Sequence, residues 1–506
     1  MTAATHHEAR TGTLNPLLWF LIIVLGVAVA VTVLAMGTKS VLGVVGVILF
    51  VFFLRAPILG LYVTTVALLL SGVLAGAGVV PYGMPSAAAK AAGGATIAAW
   101  ILNTLTTGKR FHFSREVLVT LAFVAWALLG VSYSMTWRMQ MSEWARLVTV
   151  AVYFILAMHL LNSREKLHTF VVLLLACGAI MSAYAVAQYF VPALQAAGET
   201  GIQSISEGAD VAFIDPEGTA TGAAVRVTGG TGHSNWLAFS LLLLLPLNIY
   251  WYSTMERTRG KVLVVLAVLL ELSALVLTFT RLSLAVGLII AFVLLARRIV
   301  RLNPYRVSAL AVGLIIAWFL LPSAYKERVI DITKYSTSES SASRLELQSY
   351  AWQYMQEFPI VGTGLGGFGL RFYEENSPAA AMLRWMHDEL GFNPLYYGPH
   401  NMYLQLGSET GTVGLVLLVL LSVFVLLDAQ RARNILRSIG DTQLASLADS
   451  VTVSILAFLF CAVFLHGLQQ KIWWMVFAVA ASCLICALRL QQEHEDQTRA
   501  REPRTP

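Results

Sequence analysis

Residues 17–36 read LLWFLIIVLGVAVAVTVLAM, a run that contains no charged residue. About 20 apolar residues cross the hydrocarbon core of a bilayer as an α-helix, because the helix closes its backbone hydrogen bonds within the segment. The run is continuously apolar and does not alternate, which excludes a strand of an outer-membrane β-barrel. Since no small-residue cleavage site follows it, we interpret the run as a retained first span and not as a signal peptide.

The whole chain has the same character. Of its 506 residues, 57% are hydrophobic and 12% are charged, whereas soluble domains carry about 25% charged residues. This composition excludes a water-soluble globule, a coiled coil, a collagen and a disordered chain. Further apolar runs fall near residues 40–54, 57–78, 86–107, 116–134, 144–162, 167–190, 233–252, 262–279, 282–297, 307–321, 400–427, 446–466 and 472–489. We therefore predict an all-α polytopic membrane protein with 12–14 transmembrane helices.

These runs and the segments between them predict the organisation of the chain. N-terminal transmembrane helices occupy 1–190, and a periplasmic loop follows at 191–232. Central transmembrane helices occupy 233–321, and a large periplasmic loop or cap occupies 322–399. C-terminal transmembrane helices at 400–489 precede a cytoplasmic tail at 490–506.

The net charge of +6 is concentrated in short loops. The positive-inside rule assigns such loops, and with them both termini, to the cytoplasm. Nucleic acid is therefore not an expected partner, and the two long loops lie on the outer side. The basic residues of the short loops are Lys109, Arg110, Arg115, Arg164, Lys166, Arg257, Arg259, Lys261, Arg297, Arg298, Arg301, Arg306, Arg431, Arg433 and Arg437.

The second long loop has the pattern of a folded segment. Residues 341–358 read SASRLELQSYAWQYMQEF, with apolar residues at helical spacing and Arg344 among them as a supporting candidate for ligand binding. Pro359 ends this helix, a Gly-dense turn follows at 360–369, and 382–397 is rich in aromatic residues. We expect a mostly helical cap on the outer membrane surface, where Trp and Tyr are favoured.

Arg281 lies within an apolar stretch, where a cation is costly and requires an explanation. The apolar stretch 262–296 is too long for one span and too short for two spans with a loop, so it predicts a sharp turn near Thr278–Arg281 on the outer side. A cation in the bilayer costs about 2.5–3.5 kcal/mol. The alternative is a snorkelling Arg at a helix end, but the positive-inside rule favours such residues on the other face. The functional interpretation is therefore preferred.

Arg226 is the one cation of an acidic loop, and VTGGTGHSN follows it at 227–235. A Gly-rich segment before a helix start exposes amide donors that bind an anion together with an Arg. The alternative is that Arg226 neutralises its acidic neighbours. His233, beside it, is a weaker candidate that alternatively caps the helix. Two arginines at helix starts on one face favour a shared phosphate or pyrophosphate ligand.

His400 and Asn401 open the run that continues to Leu427. His400 shares a helix face with Tyr403, and a His near the outer surface is either a general base near neutral pH or an ordinary interfacial residue. Asp388, which precedes them in the chain, is a candidate to orient His400. Further along the run, glycines form a small-residue stripe that favours close helix packing, at Gly407, Gly411 and Gly414.

Metal and nucleotide motifs are not found. The outer loops contain no D-x-D pair, and the chain contains no G-x-x-x-x-G-K-[ST] loop. The pair Cys483 and Cys486 has no second pair or nearby His, so we interpret it as apolar filler. No metal site and no cofactor are predicted.

Three segments resemble a known family. His400-Asn401, nine residues and then Gly411-Thr412-Val413-Gly414 are similar to the H-[NSQ]-x9-G-x-x-G pattern of the O-antigen ligases of Gram-negative bacteria. Residues 359–369, PIVGTGLGGFG, resemble the P-x-x-G-x-G-x-x-x-F region of the wider ligase and polymerase superfamily. Arg281 resembles its R-x-x-x-L element, with Ala285 in place of the Leu. The matched segments lie between about 226 and 414.

The resemblance implies a GT-C-type membrane glycosyltransferase of lipopolysaccharide biosynthesis. Such an enzyme moves an O-antigen from undecaprenyl pyrophosphate to a sugar hydroxyl of lipid A-core, on the periplasmic face of the bacterial inner membrane. His400 is then the base, and Arg226 and Arg281 bind the pyrophosphate. Asn401, Tyr403, His233, Asp388 and Arg344 are supporting candidates. Transfer is expected to invert the anomeric centre without a metal.

Alternatives remain within the superfamily, namely an O-antigen polymerase and a protein O-oligosaccharyltransferase. A lipid or glycan transporter is disfavoured, because transporters usually carry polar residues in several spans and internal repeats.

Overall fold

The structure is a computed structural model that describes residues 50–79, 84–108, 111, 113–191, 193–194, 226–297, 299, 308 and 339–501. Within these ranges the secondary structure is helical, without strands. The predicted span at 17–36, all but residue 308 of the apolar run at 307–321 and most of the loop at 191–232 lie outside the described residues.

The helices of the described residues come in the following order along the chain. The N-terminal helices are α1 (Pro57–Gly76), α2 (Met84–Thr107), α3 (Arg115–Ser132), α4 (Trp137–Leu160) and α5 (Arg164–Phe190). The central helices are α6 (Ser234–Leu244), α7 (Leu247–Thr254), α8 (Thr258–Leu277) and α9 (Arg281–Ala296). The cap contains α10 (Glu339–Glu357), α11 (Gly367–Tyr373), α12 (Pro378–Leu390) and a 3₁₀ turn (Pro394–Tyr396). The C-terminal helices are α13 (Met402–Ser438), α14 (Thr442–Cys461) and α15 (Lys471–Arg501).

The chain forms two compact units. Of the described residues, the smaller unit contains 50–64 and 90–108, and the larger one contains 65–79, 84–89 and everything from 111 onward. In the smaller unit, a Cβ atom on Gly60 would lie 2.3 Å from Thr96 Oγ1, and the hydroxyls of Thr64 and Thr96 are 3.4 Å apart. The glycine therefore permits the close approach of α1 and α2.

Eight of the described helices are long and apolar enough to cross a membrane, or nine if the bent pair α6 and α7 is one span. The protein is therefore an all-α polytopic membrane protein, as predicted. The Ala- and Gly-rich α2 is not among the eight, and α9 contributes a shorter apolar segment, Ala285–Ala296. The total of 12–14 spans stays a prediction, because part of the chain is not described. Helices α14 and α15 are the most buried of the eight and form the centre of the larger unit.

The span that begins at Ser234 is broken in the middle. Helices α6 and α7 meet at a 45° bend, and Pro246 lies between them. Proline has no amide hydrogen to donate to the carbonyl one turn earlier, and its ring clashes with that carbonyl. Pro246 therefore accounts for the bend between α6 and α7.

The cap has a core of its own. The predicted helix at 341–358 is confirmed as α10, and Pro359 follows it. Aromatic residues of α10 and α11 are packed together, with the Phe368 and Phe372 rings stacked at 5.7 Å. Burial raises the pKa of the Tyr354 hydroxyl, which donates to Glu375 at 2.7 Å. The segment is therefore an ordered helical cap and not a linker.

Two leucines on α10 test this core. Leu347 is 1% exposed and Leu345 is 61% exposed. We expect Leu347→Ala to cost about 2–5 kcal/mol, because it removes buried methyl groups and leaves a cavity. The matched variant Leu345→Ala should stay within about 0.5 kcal/mol of the parent. Thermal unfolding in detergent and protease cleavage of the cap measure the difference, and equal behaviour of the two variants would contradict a packed cap core.

Candidate active site

Arg226 ties two helices of the larger unit together. Its Nε donates to the carbonyl of Thr278 at 3.1 Å, and its Nη2 donates to Asn235 Oδ1 at 3.2 Å. The amide of Val227 donates to the carbonyl of Leu277 at 3.3 Å. The half-buried guanidinium is thus held between the C-terminus of α8 and the N-terminus of α6.

The glycine segment after Arg226 uses its amides internally. The amides of Thr228 and Gly229 donate to Gln188 Oε1 at 3.1 and 2.9 Å. A Cβ atom on Gly72 would lie 1.7 Å from the carbonyl oxygen of Gly230, so this segment is packed tightly against α1. The expectation that these amides are exposed for an anion is wrong for Thr228 and Gly229, because Gln188 of α5 already accepts from them.

The predicted sharp turn before Arg281 is confirmed. Helix α8 ends at Leu277 and α9 begins at Arg281. Between them Phe279 is buried with φ of 51°, a left-handed conformation that costs a non-glycine residue about 1–3 kcal/mol. Because Arg226 binds the carbonyl of Thr278, the turn that starts α9 is the same turn that Arg226 holds. The side chain of Arg281 is not among those described.

His400 has an unusual backbone and an aromatic partner. Its φ is 51°, and its ring meets the ring of His466 edge to face at 4.9 Å between centroids. His466 lies in the connection between α14 and α15. A Cβ atom on Gly398 would lie 2.6 Å from His466 Cδ2, so the glycine makes room for the second histidine.

Trp236 completes a path from His400 to Arg226. Its ring lies 6.1 Å from the ring of His466, again edge to face, and it follows Asn235, which accepts from Arg226. The structure therefore connects Arg226 to His400 through Asn235, Trp236 and His466, all within the larger unit. The roles of His466 and Trp236 were not predictable from the motifs of the sequence. The available signal was a His that ends an apolar run and precedes a glycine, at residues 466–467.

Asn401 and Tyr403 hold the start of α13. The Asn401 Oδ1 accepts from the amides of Tyr403 and Leu404 at 3.0 and 3.1 Å, which is the geometry of an N-cap. The Tyr403 hydroxyl donates to the carbonyl of Leu459 at 2.7 Å. Both residues fix the position of His400 relative to α14.

The remaining supporting candidates are His233, Asp388 and Arg344. His233 caps α6, since its Nδ1 accepts from the amide of Asn235 at 2.9 Å. Asp388 is exposed on α12, and among the described contacts it has none with His400. Arg344 is half-buried on α10.

Helix α13 is broken at Gly411, which has φ of 68° and ψ of −175°. A Cβ atom there would lie 2.0 Å from the carbonyl oxygen of Ile360. The amide of Thr412 leaves the helix and donates to the carbonyl of Pro359 at 2.8 Å. Only a glycine adopts this backbone and allows this contact without strain.

The break releases helix carbonyls that would otherwise bond one turn further on. Each accepts from a donor outside the helix: Ser408 from the amide of Thr363 at 2.8 Å, Glu409 from the amide of Gly364 at 2.9 Å, and Thr410 from Trp126 Nε1 at 2.9 Å. The two segments quoted as family motifs, 359–369 and 400–414, thus form one hydrogen-bonded unit. Of the predicted glycine stripe, Gly407 faces Met355 of the cap and Gly411 faces the turn after it.

Two buried carboxyl groups lie beside this unit. Glu409 is 2% exposed and Glu143 is 4% exposed. The amide of Gly366 hydrogen-bonds to Glu409, and Gln469 Nε2 donates to Glu143 at 3.0 Å. Gln405 Oε1, one turn before Glu409, accepts from the amide that follows His466 at 3.1 Å. Buried carboxyl groups require such partners. The contacts of Glu143 with Gln469 and of Gln405 with the amide after His466 therefore anchor the loop that carries His466. For Glu409 the sequence signal was a charge inside the apolar run 400–427.

The described residues contain no group of three or more His, Cys, Asp and Glu that could hold a metal ion. The four cysteines are buried and unbridged.

Residues 264–419 match the sequence model of a family described as O-antigen ligase. The match includes Arg281, the Gly-dense turn and His400, whereas Arg226 and His466 lie outside it. No curated protein matches the chain.

Substitution of Gly411 tests the hydrogen-bonded unit. We expect Gly411→Ala to lower stability by at least about 2 kcal/mol, because alanine is strained at this φ and its Cβ meets the Ile360 carbonyl. The control is Gly287→Ala in α9, where a Cβ atom has nothing within 4 Å. Thermal unfolding in detergent measures both variants. If the two variants unfold at the same temperature, the break does not require glycine.

Proposed function

We propose that this chain, whose residues 264–419 match the O-antigen ligase family model, is an O-antigen ligase. The proposed reaction moves an O-antigen polysaccharide from undecaprenyl pyrophosphate to a sugar hydroxyl of lipid A-core. The observation that carries the proposal is the path of contacts from Arg226 through Asn235, Trp236 and His466 to His400. This path of contacts supports a single site that contains a cation for the donor and a base for the acceptor.

The acceptor half of the reaction needs a base. A sugar hydroxyl is a weak nucleophile until its proton is accepted, and histidine accepts protons near neutral pH. In this proposal His400 takes the proton while the hydroxyl oxygen bonds to the anomeric carbon of the donor. The left-handed backbone of His400 and its contact with His466 support a fixed ring orientation.

The donor half needs positive charge. The bond between the anomeric carbon and the phosphate oxygen breaks, and the negative charge stays on the departing lipid pyrophosphate. Arginine binds phosphate oxygens with paired N–H donors, and charge stabilisation of this kind is a large catalytic term. We assign this role to Arg226, which Thr278 and Asn235 orient, and to Arg281, which starts α9 at the same turn. A single displacement inverts the anomeric centre.

The proposal extends to location and fold type. We assign a GT-C-type glycosyltransferase in the bacterial inner membrane, with the site facing the periplasm and both termini in the cytoplasm. The support is the concentration of Lys and Arg in the loops away from His400. We also propose that the reaction uses no metal, because the donor is already activated by its pyrophosphate.

Substitutions at the site test the residue roles. We expect His400→Ala to lower the transfer rate about 10²- to 10⁴-fold, as loss of a general base does, and Arg226→Ala or Arg281→Ala to lower it about 10²- to 10³-fold. The matched controls are the exposed His494→Ala and Arg138→Ala, which should keep the parental rate. Initial rates are measured with purified protein in vesicles, and unfolding temperatures verify the fold. Full transfer by folded site variants would refute the assignment.

The identity of the product tests the reaction itself. With undecaprenyl-pyrophosphate glycan as donor, we expect glycan on lipid A-core, both with and without EDTA. Longer lipid-linked chains in place of that product would identify a polymerase, and glycosylated protein would identify a protein O-oligosaccharyltransferase. Activity that is lost in EDTA and restored by magnesium would contradict the metal-free mechanism.

A further inference from the structure

Three arginines converge on one carboxylate at the far end of the helices that form the site. Arg297 Nη2 and Arg437 Nη2 donate to Asp449 at 3.3 and 2.8 Å. Arg433 Nε forms an ion pair with Asp449 Oδ1 at 2.9 Å. We call these four residues the Asp449 cluster.

The cluster carries more positive than negative charge. Among the described residues, three guanidinium groups face one carboxylate, and the C-terminal ends of α9 and α13 offset part of the excess through their helix dipoles. The neighbouring carboxylate Asp441 is already engaged, since it accepts from Arg164 at 2.8 Å and caps α14. A net cationic site of this kind attracts an anion.

In the Asp449 cluster the carboxylate is buried and the arginine side chains reach the surface, as a binding site for an anion requires. The Asp449 side chain is 5% exposed, whereas the side chains of Arg297, Arg433 and Arg437 are 22%, 25% and 52% exposed. A guanidinium has five N–H donors and a carboxylate has about four acceptor positions. The donors of the cluster therefore outnumber the acceptor positions of Asp449 and extend to the surface.

The cluster lies at the opposite end of the larger unit from Arg226 and His400. Helix α9 starts at Arg281 and is capped by Arg297, and its 16 residues span about 24 Å. In α13 the apolar segment ends at Leu427, and Arg433 follows it by about 9 Å of helix. The cluster therefore lies beyond the apolar part of α13, at the depth of the lipid headgroups.

We propose that the Asp449 cluster binds the phosphate of an anionic phospholipid on the membrane face opposite the active site. Arginine pairs its N–H groups with phosphate oxygens, and basic pockets between transmembrane helices at the membrane surface bind anionic headgroups. The lipid would connect α9, α13 and α14 at the end where, among the described residues, the three arginines carry positive charge that Asp449 does not compensate. The proposal does not depend on the reaction at the other end.

The experiment uses the full chain purified in a zwitterionic detergent and titrated with phosphatidylglycerol. The variants are Arg437→Gln, which leaves two arginines on Asp449, and the double variant Arg433→Gln/Arg437→Gln. The matched control is Arg431→Gln, an exposed residue of the same helix. Native mass spectrometry counts bound lipid, and the unfolding temperature is followed in parallel.

We expect phosphatidylglycerol to bind and to raise the unfolding temperature of the parent and of Arg431→Gln. Arg437→Gln should bind about ten-fold more weakly, the loss of one charge-assisted hydrogen bond. Phosphatidylcholine and inorganic phosphate should have little effect. Equal binding by the parent and Arg437→Gln would refute the proposed binding site. If inorganic phosphate raises the unfolding temperature as much as phosphatidylglycerol does, the ligand is not a lipid. If the double variant does not fold, Arg437→Lys replaces it as the second test. This variant retains the charge, and its affinity for phosphatidylglycerol should lie between those of the parent and Arg437→Gln. Parental affinity of Arg437→Lys would refute recognition by the paired N–H donors of arginine.

Discussion

The candidate site depends on the exchange of hydrogen bonds at the break in α13. Gly411 interrupts the helix, and the carbonyls released at Ser408 and Glu409 accept from the turn that follows the cap helix α10. Backbone groups cannot stay unpaired in a buried position, so the break and the turn require each other. The residues before the break then carry Asn401, which caps the helix after His400, and Gln405, which holds the loop of His466. One interrupted helix thereby positions both histidines relative to the cap.

Features set by neighbouring residues were predictable from the sequence. The turn at 278–281 follows from the length of the apolar stretch, and the cap helix follows from its spacing and from Pro359. The family match includes the residues that carried the resemblance, among them Arg281, Pro359 and His400. Such signals are local, since hydropathy, periodicity and helix punctuation are each contained within about twenty residues.

Features that depend on distant partners were not predictable. His466 becomes relevant because Gly398 leaves space for its ring, and Trp236 because it lies between His466 and Asn235. From the sequence, the amides after Arg226 were expected to bind an anion. In the structure Gln188 of another helix accepts from two of them. A sequence shows which groups can donate and accept, but the pairing is decided by the packing of helices that are far apart in the chain.

The left-handed backbone of His400 makes glycine the residue that this position accommodates without strain. Glycine adopts a φ of 51° without the cost that a side chain imposes there. A histidine at this position therefore costs backbone stability, and replacement by glycine would relax the chain locally while it removed the imidazole. Under the proposed function, stability and activity oppose each other at this residue.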